Sequence, residues 1–462
     1  MHASARSVHE SLFGVAAATP DRPCLVLEDG SVWSYGDLDR RSAVLAGGLR
    51  GRGIAVGDRV VVQVAKSVDA VALYLACLRT GVVYVPLNTA YTDHEVRGFV
   101  DDADAALFVD DDALATLGDA DPDDSVAPRS GSDWAAMLYT SGTTGRSKGA
   151  MLSCDNLVAN ARALHDAWRF SPDDVLVHVL PVFHVHGLFV ALHCAFLAGA
   201  AVRFHLGFDP DAVVRDLRRS TVMMGVPTHY HRLLDQTDVD RDDCAGMRLF
   251  TSGSAPLLAA RHEEFSQRTG HRIVERYGMT ETMILTSNPY DGERVPGTVG
   301  FPLPGVDLRI GTDDLVEVQT DGLFLGYWGM PDKTAEATTD DGWFVTGDVG
   351  SLDADGRLTL AGRQSDMIIS GGLNIYPKEI EQALDGVDGV EESAVVGVPD
   401  PDFGEQVVAA IVGRLDEDAL RSACDAALAR FKHPRRYVAV AELPRNAMGK
   451  VQKAVLREQL SR

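Results

Sequence analysis

The sequence predicts an α/β protein: a large N-terminal domain of α/β subdomains plus a β-rich part, followed by a small α+β C-terminal domain. Three observations carry this. The chain has 462 residues, more than one compact core accommodates, so a large domain with a smaller companion is expected. Residues 8–118 alternate helical and strand patterns, the rhythm of an α/β unit. The stretch from Arg363 onward carries its own apolar strands and a helix pattern, enough for a separate small domain. The expected domains are residues 1–362 and 363–462.

Taken in order, Gly36–Leu49 reads as a helix and Asp58–Val64 as a strand. The stretch from Gly118 to Ser132, rich in Asp, Pro and Ser, reads as a surface linker. Ala135–Tyr139 is a short apolar strand and Asn156–His165 a helix, opening a second α/β unit over roughly 133–290. Within it, the apolar run Gly187–Val202 is shorter than the ~20 residues a bilayer requires and contains His193, so it reads as a buried core helix and not a membrane span. Glycine and β-branched residues are dense from about 295 to 360, which predicts mostly strand. Ser393–Gly397 and Gln406–Val412 read as strands and Glu417–Phe431 as a helix.

Composition excludes several classes of function. The net charge is −24, with 43 basic against 67 acidic residues, and only seven of the basic ones are lysine. No basic stripe exists to neutralise phosphates, so nucleic acid is not an expected partner. Acidic runs such as Asp110-Asp-Asp112 and Asp119-Ala-Asp-Pro-Asp-Asp124 fall between motifs. A surface rich in Asp and poor in Lys is the pattern of a halophilic protein, whose self-repulsion salt screens; an acidic soluble protein from a high-GC genome is the plainer reading. The six cysteines show neither C-x-x-C nor metal-ligand spacing, and the N-terminus lacks an export pattern, so a cytoplasmic protein with reduced thiols is expected.

Between the strand and the helix of the second unit lies Tyr139-Thr-Ser-Gly-Thr-Thr-Gly-Arg-Ser-Lys-Gly149. Glycines let bare N–H groups approach an anion, hydroxyls add donors, and Lys148 supplies a point charge for a polyphosphate. It is not a Walker A loop, because Gly145 is followed by Arg-Ser-Lys-Gly and not by Lys-[Ser/Thr]. Further blocks follow: Gly253-Ser-Ala-Pro256, Glu275-Arg-Tyr-Gly-Met-Thr-Glu281, Thr346-Gly-Asp348, Gly362-Arg-Gln-Ser-Asp366, Ser370-Gly-Gly372 and Pro444-Arg-Asn-Ala-Met-Gly-Lys450. In this order they resemble the signature blocks of the adenylate-forming (AMP-binding) superfamily of acyl-CoA synthetases, adenylation domains and luciferases.

That resemblance implies two half-reactions, with ATP, Mg2+ and CoA. It assigns the ATP phosphates to Thr140, Ser141, Gly142, Thr143, Thr144 and Lys148, with Thr280 at the α-phosphate and Glu281 as the Mg2+ ligand. Gly253, Ser254, Ala255, Pro256, Glu275, Arg276, Tyr277 and Gly278 would wall the adenine pocket, with Tyr277 stacking on the base. Asp348 would hold the ribose hydroxyls, with Arg363 nearby. Lys450 would neutralise charge in the adenylation transition state. In the second half-reaction a mobile C-terminal domain would exchange Lys450 for the loop at Gly371 and Gly372, where backbone passes close to pantetheine. Ser365 stands where the superfamily's hinge usually has Asp or Lys; a hinge residue need only absorb a φ/ψ change, so serine is expected to permit the rotation.

The acid is suggested by His184-Val-His-Gly-Leu188, Met224-Gly-Val-Pro-Thr228, the runs Leu249–Leu257 and Thr286–Gly300 and the Glu275–Glu281 block, which are similar to malonyl-CoA synthetases. A small dicarboxylate brings a second charge that must be paired. Arg294 is the expected partner, by bidentate contact, and His186 the second donor. Two other readings stand beside malonate or methylmalonate. One is a short- or medium-chain fatty acid or aryl monocarboxylate:CoA ligase, and the other a stand-alone adenylating enzyme that loads a carrier protein. Oligomeric state is open.

Overall fold

Four sheets organise the chain in a computed structural model that describes residues 7–140, 147–446 and 450–461. The first, six-stranded, runs Gly326–Tyr327, Lys148–Ser153, Trp134–Thr140, Val83–Pro86, Arg59–Val62 and Leu107–Val109 across the sheet. The second has nine strands, whose middle members Val274–Met279, Leu249–Ser252, Val222–Gly225, Val175–His178, Ala201–Phe204 and Pro23–Leu27 are all parallel. Helical crossovers bury such strands on both faces, which is why Val222–Gly225 and Leu249–Ser252 are buried at every position. Helices Val68–Thr80 and Cys154–Ala167 lie in the main core between the sheets; Ser67 and Ser153 cap them through side-chain oxygens on the N–H groups of Ala70 and Asn156.

The third sheet, Val306–Ile310, Leu315–Thr320, Phe344–Leu352 and Leu358–Arg363, is antiparallel throughout and is the β-rich part foreseen from 295 to 360. A short helix, Pro331–Glu336, interrupts it. After Gln364–Asp366 the chain builds the fourth sheet from Leu373–Ile375, Ile368–Ser370, Gly404–Gly413 and Val390–Asp400, to which Arg436–Ala439 adds in parallel. Helix Pro377–Asp385 packs on it around a separate core of Ile368, Ile380, Leu384, Val395 and Ile411.

Two expected elements differ. Gly187–Val202 is not one α-helix: His186–Leu192 is a π-helix, His193–Ala198 an α-helix, and Ala201–Phe204 a strand. The helix begun at Glu417 stops at Ala427: Leu428 is extended, and Arg430–Lys432 forms a separate 3-10 turn. All six cysteines are buried and unpaired. Among the described residues no helix is long and apolar enough to cross a membrane.

Candidate active site

The candidate site residues gather at the carboxyl ends of neighbouring parallel strands. Val175–His178 leads to His184 and His186, Val222–Gly225 to His229, and Leu249–Ser252 to Gly253–Pro256, while Val274–Met279 itself carries Glu275–Gly278. After Val175–His178 the chain adds Ala201–Phe204 on one side and then Val222–Gly225 on the other. Such a reversal of strand order opens a crevice at the strand ends.

On one flank the hairpin of Trp134–Thr140 and Lys148–Ser153 sets Thr140 opposite Lys148, so the ends of the intervening loop are held together. Ser141, Gly142, Thr143 and Thr144 lie outside the described residues. Lys148 Nζ sits 4.7 Å from the centre of the Tyr327 ring, and Tyr327 donates its hydroxyl to Glu281 Oε1 at 2.9 Å. Thr140 Oγ1 reaches the same carboxylate oxygen at 3.4 Å. Burial, then the Glu281 charge, raises the Tyr327 phenol and keeps it a donor. Thr280 lies half-buried in the turn just before Glu281. Among the described residues no group of three His, Cys, Asp or Glu could hold a metal. A single buried carboxylate suits Mg2+, which takes its other ligands from phosphate and water. Tyr327 was not singled out from the sequence; its only signal was an aromatic pair between glycines, Gly326-Tyr-Trp-Gly329.

Deeper in, Tyr277 donates to Asp348 Oδ2 at 2.6 Å, and Arg363 Nε donates to Asp348 Oδ1 at 3.0 Å. Burial, then the Asp348 charge, holds the Tyr277 phenol well above its ordinary pKa. Arg363 is raised in turn, first by Asp348. Glu275 is engaged elsewhere, with its Oε1 3.2 Å from His262 Nδ1 and accepting from the Gly297 N–H at 3.0 Å. Gly278 has no room for a side chain, since a Cβ there would lie 2.0 Å from the Met283 carbonyl oxygen. Ala255 is half-buried and Pro256 exposed in the bend before helix Ala259–Thr269.

Lys450 comes to this flank from the C-terminal sheet. Its N–H donates to Asn446 Oδ1 at 3.0 Å and its carbonyl accepts from the Asn446 N–H at 2.9 Å. The residue keeps solvent contact, yet enough protein surrounds its ammonium to lower its pKa. Arg363 adds to the lowering, and Asp348 and Asp366 oppose it. The same ammonium lowers His184, after burial and Arg276, to about 4. Gly371 and Gly372 are not brought here: they form the exposed turn of the Ile368–Ser370 and Leu373–Ile375 hairpin, with positive φ of 60° and 80°.

The third flank holds Arg276, which the superfamily resemblance assigns to the adenine wall. Strand residues alternate faces, so Arg276 points opposite to Glu275. It is 4% exposed, and its Nε and Nη2 find no hydrogen-bond partner among the described residues. Burial pulls it down to about 9, with only the Tyr230 phenol opposing. The guanidinium lies flat on Gly253, where a Cβ would meet its Nε and Cζ at 2.5 Å. Ser254 beside it holds φ of +70°, a strained conformation for serine, and its Oγ lies 3.5 Å from His186 Nδ1. His186 is buried, its Nε2 likewise without a partner, and burial followed by Arg276 holds it neutral.

Arg294, the expected partner of a distal carboxylate, is not in this crevice. Its Nη1, Nη2 and Nε donate to the carbonyls of Arg272, Tyr290 and Pro289 at 2.6, 2.7 and 3.2 Å. All three nitrogens are thereby committed to backbone, and the residue pins a loop.

The profile of the AMP-binding enzyme family matches residues 12–328, and that of the AMP-binding enzyme C-terminal domain matches residues 379–450. A malonate–CoA ligase of Arabidopsis thaliana is 32% identical, covering 99% of this chain and 89% of its own. A sulfoacetate–CoA ligase of Cupriavidus necator is 34% identical, covering 96% and 95%. The crystal structure of ATP-bound MatB from Rhodopseudomonas palustris matches with a TM-score of 0.94 and 45% identity over 98% of this chain and 99% of its own. The chain belongs to the AMP-binding enzyme family, as an acyl-CoA ligase of the adenylate-forming fold.

Proposed function

We propose that this ligase activates a small dicarboxylate, malonate or methylmalonate, with ATP and transfers the acyl group to CoA, releasing pyrophosphate and AMP. The observation that carries it is Arg276, a buried guanidinium whose Nε and Nη2 have no hydrogen-bond partner among the described residues, in a crevice shared with His186. A buried charge left unpaired by the protein is costly, and a second carboxylate on the acid removes that cost. Two relatives act, by name, on malonate and sulfoacetate, each a small acid with a second anionic group.

In this reading Arg276 binds the distal carboxylate bidentately and His186 gives it a further N–H donor. The reacting carboxylate then lies toward Lys450, between the two flanks. Thr140 and Lys148, with Ser141, Gly142, Thr143 and Thr144, hold the phosphates, and Thr280 meets the α-phosphate. Asp348, oriented by Tyr277 and Arg363, accepts from the ribose hydroxyls. The carboxylate attacks the α-phosphorus, pyrophosphate leaves, and Lys450 stabilises the developing negative charge. Bound at Glu281, Mg2+ would neutralise phosphate charge. CoA thiolate then displaces AMP from the acyl carbon, after residues 363–462 turn relative to residues 1–362 and bring in Gly371 and Gly372.

The test is a coupled assay with ATP, CoA and a panel of acids. Malonate or methylmalonate should exceed acetate, butyrate and benzoate in kcat/KM by at least about tenfold; preference for a monocarboxylate refutes the assignment.

A further inference from the structure

Behind the acyl crevice lies a buried lysine that none of the steps above uses. Lys66 stands in the loop between Arg59–Val62 of the six-stranded sheet and helix Val68–Thr80, and it reaches the nine-stranded sheet. Its Nζ lies 3.0 Å from His178 Nδ1 and donates to the His178 carbonyl at 3.1 Å, and it sits 4.5 Å from the centre of the Phe204 ring. Among the described residues no carboxylate lies within ion-pair distance of it; burial lowers its pKa, and Glu28 opposes this through space.

A carbonyl can only accept, so the Gly187 oxygen places the proton of the neutral, buried imidazole on Nε2, and Nδ1 accepts from the Lys66 amine. His178 Nε2 lies 2.9 Å from the Gly187 carbonyl and therefore donates to it. Gly187 is the second residue of the π-helix His186–Leu192, and it presses so closely on Pro181 that a Cβ would lie 2.0 Å from that carbonyl oxygen. The residue immediately before it is His186. A chain of contacts thus runs from one sheet to the turn that aims the acyl-site histidine.

We propose that Lys66 is a positioning residue for acid selection: by fixing the His178 tautomer it anchors Gly187 and so sets where His186 meets the substrate acid. This rests on the reading that the His186–Arg276 crevice takes the acid, though not on which acid it is. Lys66 touches neither the phosphate flank nor Lys450, so its effect falls on binding of the acid and leaves ATP alone.

The experiment compares wild type, Lys66→Met, Lys66→Arg, His178→Gln and the Lys66→Met/His178→Gln double variant, with the acid that the panel shows to be preferred. Lys66→Met should raise KM for the acid about tenfold, with kcat and KM for ATP within about twofold. Lys66→Arg, which keeps a donor to Nδ1, should restore most of it. Glutamine at 178 offers Gly187 an N–H without needing the lysine. That variant should stay within about threefold of wild type, and adding Lys66→Met to it should cost little more. Equal rises in both KM values, a fall in kcat alone, or the same Lys66→Met effect in both backgrounds overturns the proposal. Should Lys66→Met not fold, a tenfold or greater rise in His178→Gln does so by itself. A panel preference for a monocarboxylate refutes the dicarboxylate reading and leaves this test intact.

Discussion

Tyr277 and Asp348 join two sheets through one 2.6 Å hydrogen bond, the tyrosine on a strand of the nine-stranded sheet and the aspartate on a strand of the four-stranded one. The bond orients the proposed ribose acceptor. Tyr277→Phe should therefore raise KM for ATP by about three- to tenfold while KM for the acid stays put, and lower stability by about 1–2 kcal/mol. Initial-rate kinetics in both substrates and a denaturant titration check it; an unchanged ATP term places ribose elsewhere.

Lys450→Ala should reduce acyl-adenylate formation by at least about two powers of ten, the scale of losing a donor to developing charge. Thioester formation from supplied acyl-adenylate should persist. Pyrophosphate release and CoA consumption, assayed separately, distinguish the two half-reactions, and equal loss in both would contradict a role confined to the first.

Arg276 and Arg294 make a matched pair of tests. Arg276→Ala should cost malonate about two or more powers of ten in kcat/KM, in line with the ~2–5 kcal/mol of truncating a buried charged contact, and leave acetate little changed. Arg294→Ala should instead lower the melting temperature, through loss of three hydrogen bonds to carbonyls, and affect both acids alike. The opposite assignment of effects would return the distal carboxylate to Arg294.

The different surroundings of these two arginines show what a sequence can and cannot carry. The Glu275–Glu281 block was legible as a site, and so were the large α/β region, the antiparallel part and the separate C-terminal sheet. Which face of a strand each residue takes was also written there, as alternation, but a motif names a block and not a direction. The block alone therefore does not separate Arg276 from Glu275, and the sequence points to Arg294, which the structure bonds to three backbone carbonyls. The π-helix at His186 left no mark at all, because an apolar run reads alike in any buried helix or strand. Tyr327 was hidden by distance, lying 46 positions from the Glu281 that it touches.

Histidines around the crevice make stability depend on pH. Burial brings His184 down to about 4 and His229 to about 3, whereas unfolded histidine titrates near 6.5. Below that value the unfolded chain binds protons that the folded chain refuses, so stability is full above about 6.5 and falls as pH drops toward 4. Each such histidine contributes a slope on the order of 1 kcal/mol per pH unit. His229→Gln should flatten the fall without altering the plateau slope, as read by urea midpoints from pH 4.5 to 8; an identical profile would mean that His229 titrates normally.

The burial of Cys24, Cys77, Cys154, Cys194, Cys244 and Cys424 reaches beyond packing. A thiol reacts as thiolate, and enclosure both shields these sulfurs and pushes Cys244, for one, up to about 12. The folded enzyme is thus nearly silent to a colorimetric disulfide reagent, so in a mixture with CoA the dye records the cosubstrate alone. Colour that develops later, with no acid present, would count molecules that have opened, which turns the same reagent from a meter of turnover into a clock for unfolding.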